Sequence, residues 1–305
     1  MVVAVVGPTA TGKSDLALDL AEVLGGEVVN ADASQLYRGM DIGTAKLSPD
    51  QRRGTPHHQL DVLKVTDEAS VAAYQAASRG DIADIARRGL HPVVVGGSGL
   101  YVRAALDVLD IPPTDPAVRA RLEAEAEQLG VDVMAARLRA VDPVAMEQIQ
   151  PNNLRRIVRA LEVVELTGRP FSATMPRREF VRPTVVVGLR VARPELDARI
   201  GARVERMWRA GLLDEVEALE GQGLRRGRTA SRALGYAQAL AQLDGTLDAA
   251  QAQEQTATLT RRFARRQESW FNADPRVHWL DASADARDGL LERALAAVRD
   301  NGRHG

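Results

Sequence analysis

The sequence predicts an α/β fold in which a parallel sheet with flanking helices is interrupted by a helical insertion. Three observations lead to this prediction. β-Branched runs alternate with helical patterns in the N-terminal third, a glycine-rich loop joins the first run to the first helix, and residues 111–183 are rich in helical patterns between proline-containing borders. Strands that alternate with helices indicate right-handed crossovers and a parallel sheet.

The N-terminal part of the chain supplies the first strands. The run Val2–Val6 leads into a glycine-rich turn and an amphipathic helix over residues 15–24, and a short strand follows at Val28–Val29. A helical pattern covers residues 70–88, and a buried strand at residues 92–95 runs into the turn Gly96–Gly99. Because ligands of such sheets bind at the carboxyl ends of the strands, we expect the functional residues there.

Changes of pattern divide the chain into three parts. Residues 1–110 and 184–282 form the predicted discontinuous core, in which strand patterns at residues 184–189 and 277–280 resume and complete the sheet. Residues 111–183 form the predicted helical insertion. Residues 283–305 form a C-terminal tail, of which about the last ten residues are expected to be frayed.

Composition restricts the chemistry and the compartment. The 305 residues are 45% hydrophobic and 27% charged, which is typical of a globular chain, and the formal net charge is −1. The absence of cysteine excludes disulfides, thiolate zinc sites and a cysteine nucleophile. The first residues do not resemble a signal peptide, and no apolar run approaches the ~20 residues of a membrane span. We therefore expect a cytoplasmic protein with no membrane partner.

A phosphate-binding loop follows the first strand. It matches the P-loop pattern G-x-x-x-x-G-K-[ST] between a strand and a helix, and its residues are Gly7, Pro8, Thr9, Ala10, Thr11, Gly12, Lys13 and Ser14. Backbone N–H groups and a helix N-terminus would cradle an anion, Lys13 would reach a terminal phosphate, and the Ser14 hydroxyl would ligate Mg²⁺. The predicted fold is therefore P-loop NTPase-like. The motif alone favours a kinase or an NTPase, since it does not specify whose phosphates are bound.

The segment NADASQLYRGMDIGTAK, from Asn30 to Lys46, carries a more specific pattern. It resembles the tRNA dimethylallyltransferases, whose pattern is close to D-S-x-Q-x-Y-x-G-M-D-I-G-T-A-K. Further stretches resemble that family in the same order: PHHQLD at residues 56–61, GGSGLY at 96–101, NNLRRIVRALE at 152–162 and RALGY at 232–236. The resemblance extends from residue 2 to about residue 275.

The resemblance implies an activity and its site. The reaction would transfer a dimethylallyl group from dimethylallyl pyrophosphate to N6 of the adenine next to the anticodon (position 37) in tRNA, releasing pyrophosphate. Asp32 would accept the N6 proton, and Ser98, where the family usually has Thr, would lie near the reacting amine. Lys13, Mg²⁺ and Arg232 would stabilise the leaving pyrophosphate. Such help is needed because adenine N6 is a poor nucleophile.

Polar and basic residues predict how the anticodon stem-loop is held. The amide of Gln35 suits an adenine edge. In the helix that begins near Asn153, Arg155, Arg156 and Arg159 lie largely on one face; such a face is often merely solvated, but the resemblance favours contact with RNA. The implied tRNA-binding residues are Asp32, Ala33, Ser34, Gln35, Ser98, Arg119, Arg155, Arg156, Ile157, Val158 and Arg159. Arg261, Arg262, Arg265 and Arg266, on one side of a C-terminal helix, are further candidates.

Three other functions compete with this interpretation. A P-loop small-molecule kinase would share the cradle and the sheet but would leave residues 32–46 unexplained. An isopentenyltransferase acting on a free adenine nucleotide would share much of the core but would not need an arginine-lined insertion. An RNA-binding module with a vestigial P-loop would not need the intact site residues. We expect a monomeric transferase that acts on tRNA.

Two further features have simpler explanations. The pair His57–His58 lacks an evident third ligand, so we do not expect a metal site there. Trp208, Trp270 and Trp279 are expected to pack in the core rather than to stack on bases.

Overall fold

The computed structural model describes residues 1–174 and 178–302. The chain forms two compact units, and each is described by itself below. The sheet unit consists of Met1–Leu106 and Phe180–Gly305, and the helical unit consists of Asp107–Glu179.

The described part of the sheet unit contains six strands: β1 (Val2–Val6), β2 (Gly26–Asn30), β3 (His57–His58), β4 (His91–Gly96), β5 (Thr184–Arg190) and β6 (Val277–Asp281). Their order across the sheet is β3-β2-β4-β1-β5-β6, and each neighbouring pair is parallel. This confirms the predicted α/β fold with a parallel sheet. The sequence does not predict β3, because two residues carry no periodicity.

Helices cover both units. In chain order they are α1 (Lys13–Leu24), α2 (Val71–Arg87), α3 (Gly99–Leu106), α4 (Pro116–Leu129), α5 (Val131–Val141), α6 (Pro143–Gln148), α7 (Leu154–Thr167), α8 (Arg193–Arg209), α9 (Leu212–Gly221), α10 (Tyr236–Leu243), α11 (Ala249–Asn272) and α12 (Leu290–Gly302). Within the described ranges, no helix is long and apolar enough to cross a membrane.

The central strand β1 is buried along its whole length. Each of its five residues is at most 3% exposed, as expected for a parallel strand that helices cover on both faces. Val3 and Val5 pack in one cluster with Leu20 of α1, Ile200 of α8 and Val298 of α12. The sheet therefore presents its carboxyl edge, rather than a face, as the place where polar groups can gather.

The C-terminal tail differs from the expectation that its last residues are frayed. Residues 290–302 form α12, and Ala294 and Val298 of this helix are at most 4% exposed. Leu291 and Leu295 pack against the same cluster as β1, so an apolar stripe fixes the helix on the sheet unit. Of the last ten residues, which were expected to be frayed, 296–302 continue α12, in which Val298 is buried. Residues 303–305 lie outside the described residues.

The helical unit is made of α4 to α7, and polar caps explain where these helices begin. Asp115 and Asp142 each precede a proline, and their carboxylates accept backbone N–H bonds at the first turns of α4 and α6. The Asn153 side chain likewise caps α7. The core of the unit includes Leu122, Met134, Leu138, Ile157 and Val158.

That core corrects the assignment of Ile157 and Val158 to tRNA binding. Their side chains are 0% and 3% exposed, because they form the apolar face of α7 that packs within the helical unit. Neither side chain is available to RNA while the unit is folded. Their motif neighbours Arg155 and Arg156 are exposed.

A buried carboxylate organises the basic residues of this unit. Glu162 of α7 has a side chain that is fully inaccessible to solvent, and it pairs with the guanidinium groups of Arg119 and Arg159. It also accepts the backbone N–H of Asp115 at 3.0 Å. Burial alone would raise the pKa of Glu162, but these hydrogen bonds hold it below its usual value. Arg119 and Arg159 are therefore engaged inside the unit.

Glu162→Gln is expected to destabilise the helical unit by about 2 kcal/mol, since two guanidinium groups lose their charged acceptor. The pKa of Glu162 is lowered in the folded state, so its contribution is present at neutral pH and declines as the pH falls below the unfolded value of about 4.3. Urea denaturation at neutral and acidic pH should therefore show a difference from the wild type that shrinks in acid. The control Glu165→Gln breaks only an exposed pair with Arg121 and should cost about 0.5 kcal/mol or less.

Candidate active site at the P-loop

The P-loop turns between β1 and α1 through backbone that few residues tolerate. Gly7 has φ 135°, and a Cβ there would lie 2.4 Å from the carbonyl oxygen of Leu189, so only glycine fits. Gly12 and Ala10 also have positive φ, at 88° and 66°. Within the loop, the Thr11 hydroxyl donates to the carbonyl of Pro8 at 2.9 Å. The loop is thus shaped by its own backbone, as an anion cradle requires.

Lys13 lies inside this loop and donates from Nζ to the carbonyl of Pro8 at 2.6 Å. Burial lowers its pKa to about 7, the charge of Asp32 opposes that shift, and the guanidinium of Arg203 adds to it. The negative charge of Asp32 thus compensates only partly for the burial of Lys13. An anionic group in the cradle would supply further negative charge and favour the protonated form of Lys13.

Asp32 follows β2 and caps the short 3₁₀ turn Ala33–Leu36. Its Oδ1 accepts the backbone N–H of Ser34 at 3.0 Å, which orients the carboxylate. Its own N–H donates to Oδ1 of Asn30 at 3.0 Å, and the Asn30 amide donates in turn to the carbonyl of Gln59 at 2.9 Å. Because Asp32 follows β2 and the P-loop follows β1 in the same parallel sheet, the predicted base and the phosphate cradle lie at the same edge of that sheet.

Ser98 lies at the carboxyl end of β4, where its Oγ accepts the backbone N–H of Ala33 at 3.3 Å. The structure thus brings together the two predicted site segments that follow β2 and β4. The neighbouring Gly97 leaves space for Gln267, because a Cβ on Gly97 would lie 2.2 Å from the Gln267 amide nitrogen.

Gln267 of α11 connects the site segments, although sequence reasoning missed it. Its side chain is buried, accepts the backbone N–H of Thr9 at 2.9 Å and donates to the carbonyl of Gly97 at 2.9 Å. One amide therefore bridges the P-loop and the turn that carries Ser98. A glutamine within an arginine-rich helix gives no distinguishing signal in the sequence.

A cleft of about 1530 Å³ opens beside the P-loop. It is lined by P-loop residues 10–14, by residues of the loop 41–52, by one face of α8 and by residues 282–292. Its basic side chains include Lys13, Arg199, Arg203, Arg206 and Arg287. The lining also contains carboxylates, so an anionic small molecule would be held locally, with its phosphates in the cradle beside Lys13 and Arg203.

Arg203 is a second residue that sequence reasoning missed. Its guanidinium donates to the Thr9 hydroxyl at 3.1 Å and to the carbonyl of Thr44 at 3.2 Å. Burial lowers its pKa, and the charge of Asp32 partly opposes that shift. The signal was present in the sequence, because Arg199, Arg203 and Arg206 recur at spacings of four and three on one face of a helix.

Arg232, the predicted partner of the pyrophosphate, lies elsewhere in the sheet unit. It is exposed at the end of the short turn Ala230–Arg232, in which Ala230 is the residue that packs into the core. Among the described residues that line the P-loop cleft, Arg203 is present and Arg232 is not. The role of Arg232 stays a prediction, as do those of Asp32 and Ser98, which are not among the residues that line this cleft either.

The histidine pair has structural partners. His57 Nδ1 lies 2.8 Å from the carbonyl of Thr55, and burial lowers the pKa of His57. His58 Nε2 lies 2.7 Å from the carboxylate of Glu27, which also forms a two-bond pair with Arg88. Among the described residues, no group of three potential histidine, cysteine or carboxylate ligands could hold a metal.

The remaining candidate RNA contacts divide by exposure. Arg262, Arg265 and Arg266 of α11 are exposed, whereas Arg261 is partly buried.

The three tryptophans are partly buried: Trp208 donates to Gln242 at 2.8 Å, Trp270 lies beneath the guanidinium of Arg103, and Trp279 packs at Gly188. All three tryptophans thus have intramolecular packing partners.

The sequence of the chain matches a known protein family over most of its length. The model of the family described as IPP transferase matches residues 35–274. The chain belongs to the IPP transferase family. This confirms the resemblance drawn from the segment between Asn30 and Lys46. The P-loop precedes the matched range, but it is included in the full-length relatives described next.

Relatives of this IPP transferase family member cover nearly its whole length. This chain is 63% identical over 294 residues to a tRNA dimethylallyltransferase of Kineococcus radiotolerans, and the alignment covers 94% of this chain and 92% of the relative. It is 59% identical to that of Streptomyces coelicolor, covering 97% and 95%.

Solved structures are similar over the same length. A tRNA isopentenylpyrophosphate transferase from Bacillus halodurans has 35% identity and a TM-score of 0.72, covering 99% of this chain and 98% of that one. A eukaryotic dimethylallyltransferase described as acting on tRNA has 27% identity and a TM-score of 0.82, covering 98% and 78%. The likeness therefore includes both units of this IPP transferase family member.

Proposed function

We propose that the chain transfers a dimethylallyl group from dimethylallyl pyrophosphate to N6 of adenine at position 37 of tRNA. The observation on which this rests most directly is the position of Asp32, whose oriented carboxylate follows β2 at the edge of the sheet where the P-loop follows β1. The names of the relatives give the acceptor and donor classes. In the reaction, the N6 lone pair forms a bond to C1 of the donor, the C1–O bond breaks, pyrophosphate leaves and the N6 proton passes to Asp32.

The leaving group is the charged part of this reaction. Negative charge develops on the pyrophosphate as the C1–O bond breaks, so groups that bind this charge more tightly in the transition state accelerate the step. Lys13, the N–H groups of the P-loop and Arg203 supply such groups in one place. Ser98, whose Oγ accepts the N–H of Ala33, lies on the neighbouring turn, where it would contact the acceptor amine.

The donor set of the cleft fits Mg²⁺ bound together with the diphosphate. The Ser14 hydroxyl, a hard oxygen donor, lines the cleft beside the cradle, while the described residues contain no cluster of three potential protein ligands. Mg²⁺ commonly takes one or two protein ligands and completes its shell with phosphate oxygens and water. Ser14 would hold the ion, which when bound would neutralise charge on the diphosphate.

Acceptor recognition would use unpaired RNA. An anticodon-loop base is flipped into a pocket at a cost of a few kcal/mol, whereas a base within a stem would also have to unpair. Gln35 and its neighbours Ala33 and Ser34 follow Asp32 and are partly buried, and we propose that they contact the flipped base. The exposed Arg155 and Arg156 would contact RNA phosphates. We propose that the protein acts as a monomer in the cytoplasm.

The test is a single-turnover incubation with radiolabelled dimethylallyl pyrophosphate and Mg²⁺. Unmodified tRNA, the same tRNA with guanine at position 37, AMP and no acceptor are compared in parallel. Label is expected in the unmodified tRNA alone. Label on AMP would instead assign the chain to the nucleotide-modifying class, and label on the guanine-containing tRNA would refute the choice of acceptor atom. No transfer, combined with phosphoryl transfer from ATP, would support the kinase.

Neutralising Arg155 and Arg156 together with Gln is expected to raise the KM for tRNA and to reduce the slope of log affinity against log salt by about 1 to 2. The reason is that each phosphate contact releases counterions when it forms, so a protein with fewer contacts releases fewer counterions on binding. The matched control is Arg137→Gln, which removes an arginine of the same unit that is paired with Glu125 at 2.7 Å. Equal salt slopes in all three proteins would show that the α7 face is only solvated.

A further inference from the structure

One backbone oxygen is shared between the two halves of the site. The carbonyl of Thr44, in the segment Asp41–Lys46, accepts the Gln35 amide at 3.1 Å and the Arg203 guanidinium at 3.2 Å. Gln35 belongs to the proposed base-reading side, and Arg203 reaches the P-loop at Thr9. A carbonyl oxygen has two lone pairs and can accept both bonds at once. Its position therefore affects the placement of both side chains.

The segment that carries this carbonyl, here called the clamped loop (residues 41–46), is held at one end by Glu215. This residue lies in the first turn of α9, and its carboxylate accepts the backbone N–H groups of Asp41, Ile42 and Gly43 at 3.2, 2.7 and 3.4 Å. The hydroxyl of Tyr236 donates to the same carboxylate at 2.5 Å. One side chain from α9 thus satisfies three successive loop amides.

Tyr236 also restricts the clamped loop sterically, in addition to the hydrogen bonds that Glu215 accepts from it. The residue is fully buried, and a Cβ on Gly43 would lie 2.5 Å from its ring, so only glycine fits against it. The other end of the loop is fixed by Lys46, whose Nζ lies 2.6 Å from Asp41 and 2.6 Å from Asp61. The Thr44 carbonyl lies between these two anchors, so it moves only together with the clamped loop.

We propose that Glu215 and Tyr236 are positioning residues that fix the Thr44 carbonyl and thereby couple tRNA binding through Gln35 to diphosphate binding through Arg203. This inference rests on the proposed function. Because the clamped loop moves as one piece, a shift of Gln35 on binding one ligand is passed through the Thr44 carbonyl to Arg203, whereas a loop released from the clamp would absorb that shift. The coupling is positive, and it is reciprocal because it is a property of the binding equilibria.

The experiment measures binding without turnover, using inorganic pyrophosphate as the probe. Its affinity is determined calorimetrically with Mg²⁺, in the absence and in the presence of saturating unmodified tRNA. For the wild type, we expect tRNA to tighten pyrophosphate binding at least about fivefold. In Tyr236→Phe and Glu215→Gln, this factor should fall below about twofold.

The matched control is Glu217→Gln, which changes an exposed carboxylate of the same helix and should keep the full coupling factor. In the two clamp variants, kcat should fall more than the KM for tRNA rises, because the contacts to RNA phosphates remain. Thermal melts check that each variant is folded. If Glu215→Gln does not fold, Tyr236→Phe decides the question, since it keeps the ring and removes only the hydroxyl.

A folded Tyr236→Phe with the wild-type coupling factor would overturn the inference. So would a wild-type protein in which tRNA changes pyrophosphate affinity by less than twofold. Failure of the proposed function looks different, because the wild type would then transfer no label to tRNA. An active wild type with unchanged coupling in the variants would refute only the role of the clamp.

Discussion

Asp32→Asn is expected to slow single-turnover transfer to tRNA by about a thousandfold while leaving the affinity for tRNA within about twofold of the wild type. Asparagine keeps the shape of the side chain and is an equally good cap for the turn Ala33–Leu36, so the bond to the N–H of Ser34 is retained. What is lost is the negative charge that accepts the N6 proton. Rapid quench measures the rate, and filter binding measures the affinity.

A matched control is Asp50→Asn, which removes an exposed carboxylate of the same unit and should leave both quantities unchanged. A large loss of tRNA affinity with a normal single-turnover rate at saturating tRNA would show that Asp32 binds the acceptor rather than the proton. A normal rate together with a normal affinity would remove Asp32 from the site altogether.

Arg203→Gln is expected to lower kcat/KM for dimethylallyl pyrophosphate by about 10²- to 10³-fold, because a donor to the developing charge of the leaving group is removed. The affinity for inorganic pyrophosphate should fall as well, because the contact between Arg203 and the diphosphate would form even when no reaction takes place. Initial rates at varied donor concentration and calorimetric titration measure the two effects.

The comparison with Arg232→Gln decides between the two arginines. If Arg203 binds the leaving group, Arg232→Gln should have a much smaller effect on both quantities. Arg209→Gln, which changes an exposed arginine on the same helix as Arg203, controls for loss of positive charge. A severe defect in Arg232→Gln with a mild one in Arg203→Gln would restore the assignment that the sequence resemblance implies.

The sequence predicted the parts of the site that depend on local pattern. The P-loop and Asp32 each follow a strand directly, so the strand signal and the parallel topology place them at one edge before any packing is known. The α/β class follows from the same alternation of patterns. The helix at Asn153 could also be predicted, because its cap and its apolar period are both contained in a few adjacent residues.

The parts that were missed depend on tertiary packing. Arg203, Gln267 and Glu215 lie in helices, where the spacing of residues indicates which face is polar but not what that face contacts. Ile157 and Val158 show the converse error, since a family motif was assigned to RNA as a whole although one face of an amphipathic helix must pack in the core. Arg159 pairs with the buried Glu162, and its role in tRNA binding stays a prediction.

The bridge made by Gln267 has a consequence for how the protein is synthesised. Its bond to Thr9 joins positions separated by 258 residues in the chain. During translation, the P-loop leaves the ribosome first, yet the amide that fixes it to the turn of Gly97 is among the last parts to appear. Contacts of such long sequence separation form late in folding. The nascent chain therefore cannot form this bridge until α11 has emerged, and a prematurely terminated product carries the P-loop motif without the bond from Gln267.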